Sequence, residues 1–367
     1  MISFMSASNP HDHHEKASPL PGTPPQPTLQ VPVSEAIRGY SPGKIPFSVE
    51  FMPPRDDAAQ TRLWNAAEAF HDLGVSFASI TYGAGGSTRE RTMEVAQQLA
   101  AKPLTTLMHL TLVDHSAEEL RVMLQDYARR GMTNVLALRG DPPGDPLGTW
   151  QPTPGGLNYA SDLIELIRNT PECENFDIGI ASFPEGHYRA EDLEQDTQVT
   201  LHKLRLGADY SITQMFFDVE NYLRLRDRLA AADPVHGAKP AIPGLMPITS
   251  IRSVRRQMEL AGGEVPVKIL ERLEKAAAGD EVANRDAVRE VGINITTEMS
   301  ERLIAEGAPN LHFMTMNNVR ATQDVLHNLG MAPAWGRATA RIWFASSRGG
   351  ASTSVAAPWG WGSHRRG

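Results

Sequence analysis

Short runs of apolar and β-branched residues alternate with longer stretches that carry apolar residues at helical spacing. This rhythm extends from Ile45 to about Gly330. A period of two residues predicts strands, and a period of 3.6 predicts helices. The predicted strands are Phe47–Phe51, Phe77–Tyr82, Thr106–Leu112, Asn134–Leu138, Asp177–Ser182, Tyr210–Phe216, Ala241–Met246 and Asn310–Thr315.

The stretches between these runs predict helices. They are Asp57–Leu73, Arg89–Ala101, Ala117–Arg130, Ala160–Arg168, Ala190–Leu206, Val219–Ala231, Ser253–Ala261, Val267–Ala278, Asp280–Glu306 and Val319–Leu329. Because strand and helix alternate with short connections, we expect parallel strands joined by crossovers. Eight such strands predict one catalytic (β/α)8 (TIM) barrel over residues 45–330. An open doubly wound sheet is the alternative, and no G-x-G-x-x-G turn follows the first strand to support it.

The two ends of the chain lie outside this rhythm. Residues 1–44 hold eight prolines and little apolar periodicity. Such a composition buries too little apolar surface to offset the entropy of ordering, so we expect a disordered leader. Residues 331–367 carry four tryptophans among glycine, serine and alanine. They predict an irregular, disordered tail, with docking of the tryptophans on the barrel as the alternative. We expect residues 1–44 and 335–367 to be dispensable for folding.

Composition excludes several partners. The net charge is −8 and the central region has no block of lysine and arginine, which argues against nucleic acid. No apolar run reaches the ~18 residues needed to span a bilayer. The single cysteine excludes an internal disulfide and is typical of the cytoplasm. No H-E-x-x-H motif or paired His/Cys spacing indicates a catalytic metal. We expect a cytoplasmic homo-oligomer that acts on small molecules.

The first strand carries an acid on its inner face. Alternation turns Phe47, Val49 and Phe51 towards the helices, and Ser48 and Glu50 into the barrel. A buried carboxylate is costly unless it is paired or protonated. Glu50 is therefore predicted to be a general acid or base whose pKa is raised by burial. The alternative is a structural glutamate satisfied by a buried arginine or by the backbone.

Further polar residues stand where the other strands end, which is where barrel enzymes place their active sites. The fourth strand leads into Arg139-Gly140-Asp141. The glycine between opposite charges indicates backbone contact with a bound group, and a structural ion pair is the alternative. His109 lies in the third strand, where a satisfied core histidine is the alternative.

The helix after the fifth strand carries Asp196 and Lys203, seven residues apart and so on one face. If that face lines the barrel mouth, Lys203 can meet a phosphate and Asp196 a sugar hydroxyl. A solvated helix face is the alternative. No lysine ends a predicted strand, which argues against a Schiff-base aldolase, and no G-x-S-x-G elbow is present. An inward acid, a set of cations and apolar walls are typical of a large anionic cofactor that carries the reaction.

Eight motifs occur in register along this barrel. They are Val49-Glu50-Phe51-Met52-Pro53-Pro54-Arg55, Thr81-Tyr82-Gly83-Ala84, His109-Leu110-Thr111, Ala137-Leu138-Arg139-Gly140-Asp141-Pro142, Asn158-Tyr159-Ala160, Pro184-Glu185-Gly186-His187, Ile212-Thr213-Gln214-Met215-Phe216-Phe217 and Leu311-His312-Phe313. Together they resemble the methylenetetrahydrofolate reductase family from about residue 45 to residue 330.

The resemblance implies FAD at the carboxyl ends of the barrel strands and NADH or NADPH as co-substrate. A ping-pong hydride transfer would reduce 5,10-methylenetetrahydrofolate to 5-methyltetrahydrofolate for methionine synthesis. Glu50 matches the family's acid, and Asp141 the carboxylate near the flavin and the folate. Thr81 and Gln214 match positions that touch the substrates, as Asp141 does. The matches to FAD contacts are Tyr82, Ala84, His109, Arg139, Gly140, Asp141, Ala160, His187, Asp196 and Lys203.

The chain departs from the family pattern at Phe183, Val199 and His202 on the flavin side, and at Ser253 and Asn318 on the substrate side. Its length predicts the catalytic barrel without the adenosylmethionine-binding regulatory domain of longer eukaryotic relatives. Two other interpretations remain open at this point. One is a different flavin barrel oxidoreductase, similar to proline dehydrogenase, which would need an arginine pair for a substrate carboxylate. The other is a barrel that binds folate or flavin without catalysis.

Overall fold

A computed structural model describes residues 30–38, 45–82, 86–100, 102, 104–142, 148–261 and 263–332. Strands and helices alternate along this part of the chain. The strands are β1 (Phe47–Phe51), β2 (Phe77–Ile80), β3 (Thr105–Thr111), β4 (Asn134–Leu138), β5 (Asp177–Ser182), β6 (Tyr210–Thr213), β7 (Ala241–Ile242), β8 (Gly244–Leu245) and β9 (Leu311–Met314).

The helices cover the outside of the sheet, except for the first. They are α1 (Val33–Ala36), α2 (Asp57–Asp72), α3 (Gly86–Ala100), α4 (Ala117–Arg129), α5 (Ala160–Arg168), α6 (Leu193–Arg205), α7 (Val219–Ala232), α8 (Ile251–Ala261), α9 (Val267–Ala277), α10 (Arg285–Ala305) and α11 (Val319–Asn328). Each predicted helix is found within a few residues of its expected position.

The sheet closes into a barrel through one short segment. Its order is β7-β6-β5-β4-β3-β2-β1-β9-β8, and neighbouring strands pair in parallel throughout the described sheet. The two strands at its ends, β7 and β8, are separated by Pro243 alone, so they act as one strand that joins β6 to β9. The predicted (β/α)8 barrel is confirmed. The expected single strand Ala241–Met246 is divided because proline has no N–H for the ladder.

Helix formation follows local signals. Helix α4 begins after Ser116, whose hydroxyl accepts from the Glu119 backbone N–H while the Glu119 carboxylate accepts from the Ser116 N–H. This reciprocal pair satisfies N–H groups that a helix start leaves without partners. The buried positions Leu120, Met123 and Leu124 recur at helical spacing and pack against the sheet.

The inside of the barrel has two levels. Apolar side chains from β2, β3, β4 and β6 occupy much of the level towards the amino ends of the strands, among them Phe77, Leu107, Leu136 and Ile212. Polar inward side chains such as Glu50, which pairs in register with Ser79, occupy the level above. The candidate site therefore rests on an apolar floor.

Residues 30–38 fold onto the amino-terminal end of the barrel. Val33 and Ile37 are 0% and 6% exposed and join the apolar floor. The Val33 N–H donates to Asn134 Oδ1 (3.0 Å), and Ser34 donates to Asp177 through its N–H (3.0 Å) and its hydroxyl (2.6 Å). The prediction of a disordered leader is wrong for these residues, because two apolar side chains and three donors find partners there. Residues 1–29, residues 39–44 and the predicted tail 333–367 lie outside the described residues.

The docked segment makes a prediction about truncation. Removing residues 1–38 should lower the melting temperature by about 5 °C or more relative to removing residues 1–29. The longer deletion loses two buried apolar side chains, worth ~1.5–3 kcal/mol each, and leaves Asn134 and Asp177 unpartnered. Differential scanning calorimetry of both truncated proteins measures the difference. Equal melting temperatures would show that the segment does not support the barrel.

Candidate active site

Glu50 faces two histidines inside the barrel. Its Oε2 lies 3.5 Å from His109 Nε2 and 3.8 Å from His312 Nε2. The register places Glu50 between Ser79 of β2 and Met314 of β9. Glu50 itself lies in β1, His109 in β3 and His312 in β9. The glutamate is 17% exposed, whereas His312 is fully buried. The acid therefore has access to the barrel mouth, and the imidazoles lie beneath it.

A directed chain of hydrogen bonds sets the orientation of His312. The Ser76 hydroxyl donates to the Phe47 carbonyl (2.7 Å) and accepts from Asn310 Nδ2 (3.0 Å). Ser48 donates to Asn310 Oδ1 (2.7 Å), so its oxygen can accept from His312 Nδ1 at 2.8 Å. This assigns a proton to Nδ1, so the nitrogen that faces Glu50 is Nε2.

The two imidazoles set the charge of Glu50. Burial raises the pKa of Glu50, but the neighbouring His312 and His109 outweigh it, so that this pKa lies below its ordinary value. At 3.8 Å the contact with His312 is too long for a hydrogen bond, and we assign its effect to charge. The expectation of a raised pKa for Glu50 is wrong, because the two histidines together lower this pKa by more than burial raises it. Burial lowers the pKa of His109, despite the carboxylate beside it.

At the end of β4, Arg139 lies against the backbone of Gly140. Gly140 has a φ of +85°, and a Cβ there would lie 2.9 Å from Thr111 Cβ and Val113 Cγ1. Arg139 Nε donates to the Gly140 carbonyl (3.1 Å), and its guanidinium lies 5.2 Å from the centre of the Trp150 ring. No sequence pattern pointed to Trp150, because it lies in an irregular segment. The next residue, Asp141, is exposed.

Asp196 and Lys203 are buried, at 3% and 9% exposure, which excludes the solvated helix face. Asp196 Oδ1 accepts from the His187 N–H (3.2 Å), while its buried Oδ2 has no hydrogen-bond partner. Lys203 Nζ donates to the Ala181 carbonyl (3.0 Å). Burial lowers the pKa of Lys203 to about 8, against the opposing charge of Asp196. Burial also raises the pKa of Asp196.

His187 is not a cation at neutral pH. Burial, followed by the charges of Arg139, Lys203 and Arg189, lowers its pKa to about 4. The ring packs edge-on against Phe183 and stacks on Tyr188, with ring centres 4.6 Å apart in each case. His187, which matches an FAD contact of the family, therefore brings no charge of its own for a phosphate. In the structure the positive charge next to it comes from the two arginines and the lysine.

The remaining predicted residues are distributed around the same mouth. Thr81 directly follows β2, and its N–H donates to the Phe51 carbonyl (3.0 Å). The Tyr82 hydroxyl oxygen lies 2.7 Å from His115 Nε2. The sequence did not indicate His115 as a partner of Tyr82. Ala160 is the first residue of α5. Ala84 lies outside the described residues.

A cavity of about 350 Å³ opens beside these groups. Its lining includes Phe183, Glu185, His187, Gln214 and Met258, so the ends of β5 and β6 meet α8 there. The Gln214 side-chain carbonyl accepts from the Met215 N–H (2.9 Å), which holds the amide at the rim. Within the described residues, no group of three or more His, Cys, Asp or Glu is arranged to hold a metal.

Comparison with known proteins agrees with this arrangement. The family model described as methylenetetrahydrofolate reductase matches residues 36–330. The 5,10-methylenetetrahydrofolate reductase of Escherichia coli is 33% identical over 292 residues, which cover 79% of this chain and 93% of that protein. The chain belongs to the methylenetetrahydrofolate reductase family. It is accordingly an enzyme of the methylenetetrahydrofolate reductase class.

Other members of the methylenetetrahydrofolate reductase family are longer than this chain, and one of them is named for NADH. Methylenetetrahydrofolate reductase 1 of Schizosaccharomyces pombe is 34% identical, over 78% of this chain and 46% of that protein. Methylenetetrahydrofolate reductase (NADH) 1 of Zea mays is 31% identical, over 82% of this chain and 50% of that protein. A solved structure from Clostridium thermocellum, described as binding two copies of 5-methyl-5,6,7,8-tetrahydrofolic acid, has a TM-score of 0.51. It is 15% identical and covers 77% of this chain and 94% of that one, a likeness that shows the fold alone.

None of the helices in the described part of the chain is long and apolar enough to cross a membrane.

The geometry at Gly140 predicts a large cost for a side chain there. We expect Gly140→Ala to lower the free energy of unfolding by ~2–4 kcal/mol, since it adds steric overlap to an unfavourable φ. Gly74→Ala is the matched control, because Gly74 has a φ of +79° but nothing within 4 Å of the added Cβ. That variant should lose only ~1–2 kcal/mol. Urea unfolding measures both, and equal losses would show that the β4 turn can move away from Thr111 and Val113.

Proposed function

We propose that this chain reduces 5,10-methylenetetrahydrofolate to 5-methyltetrahydrofolate with bound FAD and NADH or NADPH, in a ping-pong cycle. The observation that carries the proposal is an inward acid with two imidazoles beneath it, next to a cationic rim, in a barrel of this family. Bound FAD would supply the two-electron carrier that accepts a hydride from the nucleotide and passes it to the folate.

The residues at the rim fit a flavin dinucleotide. Asp196 has a buried carboxylate oxygen without a partner, which a ribose hydroxyl would satisfy. At Gly140 a Cβ would lie 2.9 Å from Thr111 Cβ and Val113 Cγ1, so only glycine lets the end of β4 follow this path at the mouth. Arg139 and Lys203 supply positive charge for the diphosphate. We assign the cofactor contacts to these four residues, with His109, His187, Tyr82 and Ala160 beside them.

Glu50 has the position of the acid for the folate step. The methylene carbon must leave one ring nitrogen before it can accept a hydride, and that nitrogen takes up a proton as the C–N bond breaks. In the free protein the lowered pKa keeps Glu50 ionised at neutral pH. A pterin over the barrel mouth would displace water from the carboxylate and raise that pKa. We infer that Glu50 takes up its proton as folate binds.

Asp141, Thr81 and Gln214 are the proposed substrate contacts. Asp141 follows Gly140 directly and is exposed at the mouth, and Gln214 lines the neighbouring cavity. A carboxylate can accept from the donors of a pterin ring, whereas an amide can both donate and accept. The two residues therefore have the chemistry to orient a pterin.

Glu50→Gln should separate the two half-reactions. The variant keeps the shape of the side chain but has no transferable proton. We expect it to fold, to bind FAD and to be reduced by NADH or NADPH at a near-normal rate. Its folate step should slow by ~10²–10⁴, the usual contribution of a general acid. Anaerobic stopped-flow absorbance measures each half-reaction.

Glu306→Gln is a suitable control, because Glu306 follows the end of α10 just before β9, at the amino-terminal end of the barrel, where it pairs with Arg302. A folate step that keeps its rate in Glu50→Gln would refute the acid role. Equal loss of both half-reactions would instead identify Glu50 as a residue that holds the site together. A protein that binds no FAD at all would remove the basis of the proposal.

The pKa of Lys203 makes FAD binding dependent on pH. Lys203 is charged below about pH 8 and loses its proton above it. Because a bound diphosphate favours the charged form, its pKa must rise in the complex. The affinity for FAD should therefore be constant from pH 6.5 to 7.5 and fall as the pH rises from about 8 to 9.5. Isothermal titration calorimetry with the flavin-free protein measures this, and Lys203→Met should bind weakly without that dependence. An affinity of the unsubstituted protein that does not change over this range would exclude Lys203 from the diphosphate site.

A further inference from the structure

Two arginines hold residues 148–150 from two neighbouring strand ends. Arg139, at the end of β4, places its guanidinium over the Trp150 ring, 5.2 Å from its centre. Arg189, in the segment between β5 and α6, donates from its guanidinium to the Gly148 carbonyl. The segment before α5 is thereby fastened to the segment before α6, across the rim where the cofactor contacts lie.

Arg189 is fixed by its own contacts. Its Nε donates to the Tyr188 hydroxyl (2.8 Å), and its guanidinium lies 5.0 Å from the centre of the Tyr188 ring. Tyr188 stacks on His187, and the Arg189 backbone N–H donates to His187 Nδ1 (3.1 Å). An exposed arginine usually samples many rotamers. The Arg189 side chain makes three contacts, to the Tyr188 hydroxyl, the Tyr188 ring and the Gly148 carbonyl. The backbone of His187, whose ring accepts from the Arg189 N–H, is held in turn by Asp196.

Positive charge converges on His187. Besides burial, Arg139, Lys203 and Arg189 each disfavour a proton on this ring. A point that rejects a proton because of three nearby cations attracts an anion for the same reason. The Asp196 carboxylate accepts from the His187 backbone N–H there, and one of its oxygens has no partner. Three cations and the Asp196 carboxylate therefore act on this point of the rim, an arrangement that can hold a ligand with two negative charges.

We propose that Arg189 is a further binding residue for the diphosphate of FAD, which also holds residues 148–150 against the bound dinucleotide. This inference rests on the proposed function, because FAD is the ligand. An arginine fork can bond a phosphate with two parallel N–H groups, and its charge does not depend on pH. Arg189 thus keeps positive charge at the rim where Lys203 titrates and His187 is neutral.

The test compares ligand fragments on flavin-free protein. Isothermal titration calorimetry gives the Kd of FAD, ADP and riboflavin for the unsubstituted protein and for Arg189→Gln. We expect Arg189→Gln to weaken FAD and ADP by about tenfold or more and to leave riboflavin within twofold, since riboflavin lacks the diphosphate. Arg189→Lys should recover part of the loss, because it keeps the charge without the fork. Arg121→Gln, with the same change of charge on α4, should bind all three ligands normally.

Two results would overturn the inference. One is an affinity of Arg189→Gln for FAD within twofold of the unsubstituted protein. The other is an equal loss of FAD and riboflavin, which would indicate a deformed mouth rather than a missing phosphate contact. Melting temperatures of the variants show whether each one is folded, and Arg189→Lys decides the question if Arg189→Gln is not. Absence of FAD binding in the unsubstituted protein would refute the proposed function itself, a result distinct from either of these.

Discussion

The inside of an eight-stranded barrel is too narrow for bulk water, so a polar side chain that points inward must find its partner on another strand. This constraint organises the site. Ser48 meets Asn310 and His312, and Asn310 meets Ser76, so the amino ends of β1, β2 and β9 are tied together by side chains. Because the Phe47 carbonyl can only accept, every donor in the chain has one direction. This chain of hydrogen bonds, which lies below the barrel mouth, therefore sets the orientation of the His312 ring that faces Glu50.

The rim of the barrel has two regions that differ in charge, one around Glu50 and one around His187. Around Glu50 the titratable groups are one carboxylate and two buried imidazoles, and a single proton changes the balance among them. Around His187 the charges belong to arginines and a lysine, and their sum stays positive at neutral pH. The two regions lie on opposite sides of the end of β4, where Gly140 packs closely against Thr111 and Val113. A ligand that spans both would meet a proton source at one end and fixed positive charge at the other.

Much of the fold could be predicted from the sequence, because long amphipathic stretches carry their own signal. The bounds of Phe47–Phe51 and Asp177–Ser182 agree with the strands as found. Helix α1 was missed because four residues are too few to show a period, and its partners Asn134 and Asp177 are distant in sequence. Of the candidate site, alternation alone indicated the inward direction of Glu50. The direction of its pKa shift depended on His312, and the fixing of Arg139 depended on Trp150; neither neighbour is visible from local sequence.

Helix α1 has a consequence for the order of folding. Its Val33 and Ser34 bind partners that lie 101 and 143 residues later in the chain. During synthesis these two residues emerge first, but their partners appear only with β4 and β5. The apolar floor also needs Tyr210 and Ile242, which come later still. Contacts of such long sequence separation form late, after most of the entropy of loop closure has been lost. Helix α1, although it is made before every barrel strand, should thus be among the last elements to settle, so a nascent chain must keep two apolar side chains out of wrong contacts until the barrel is nearly complete.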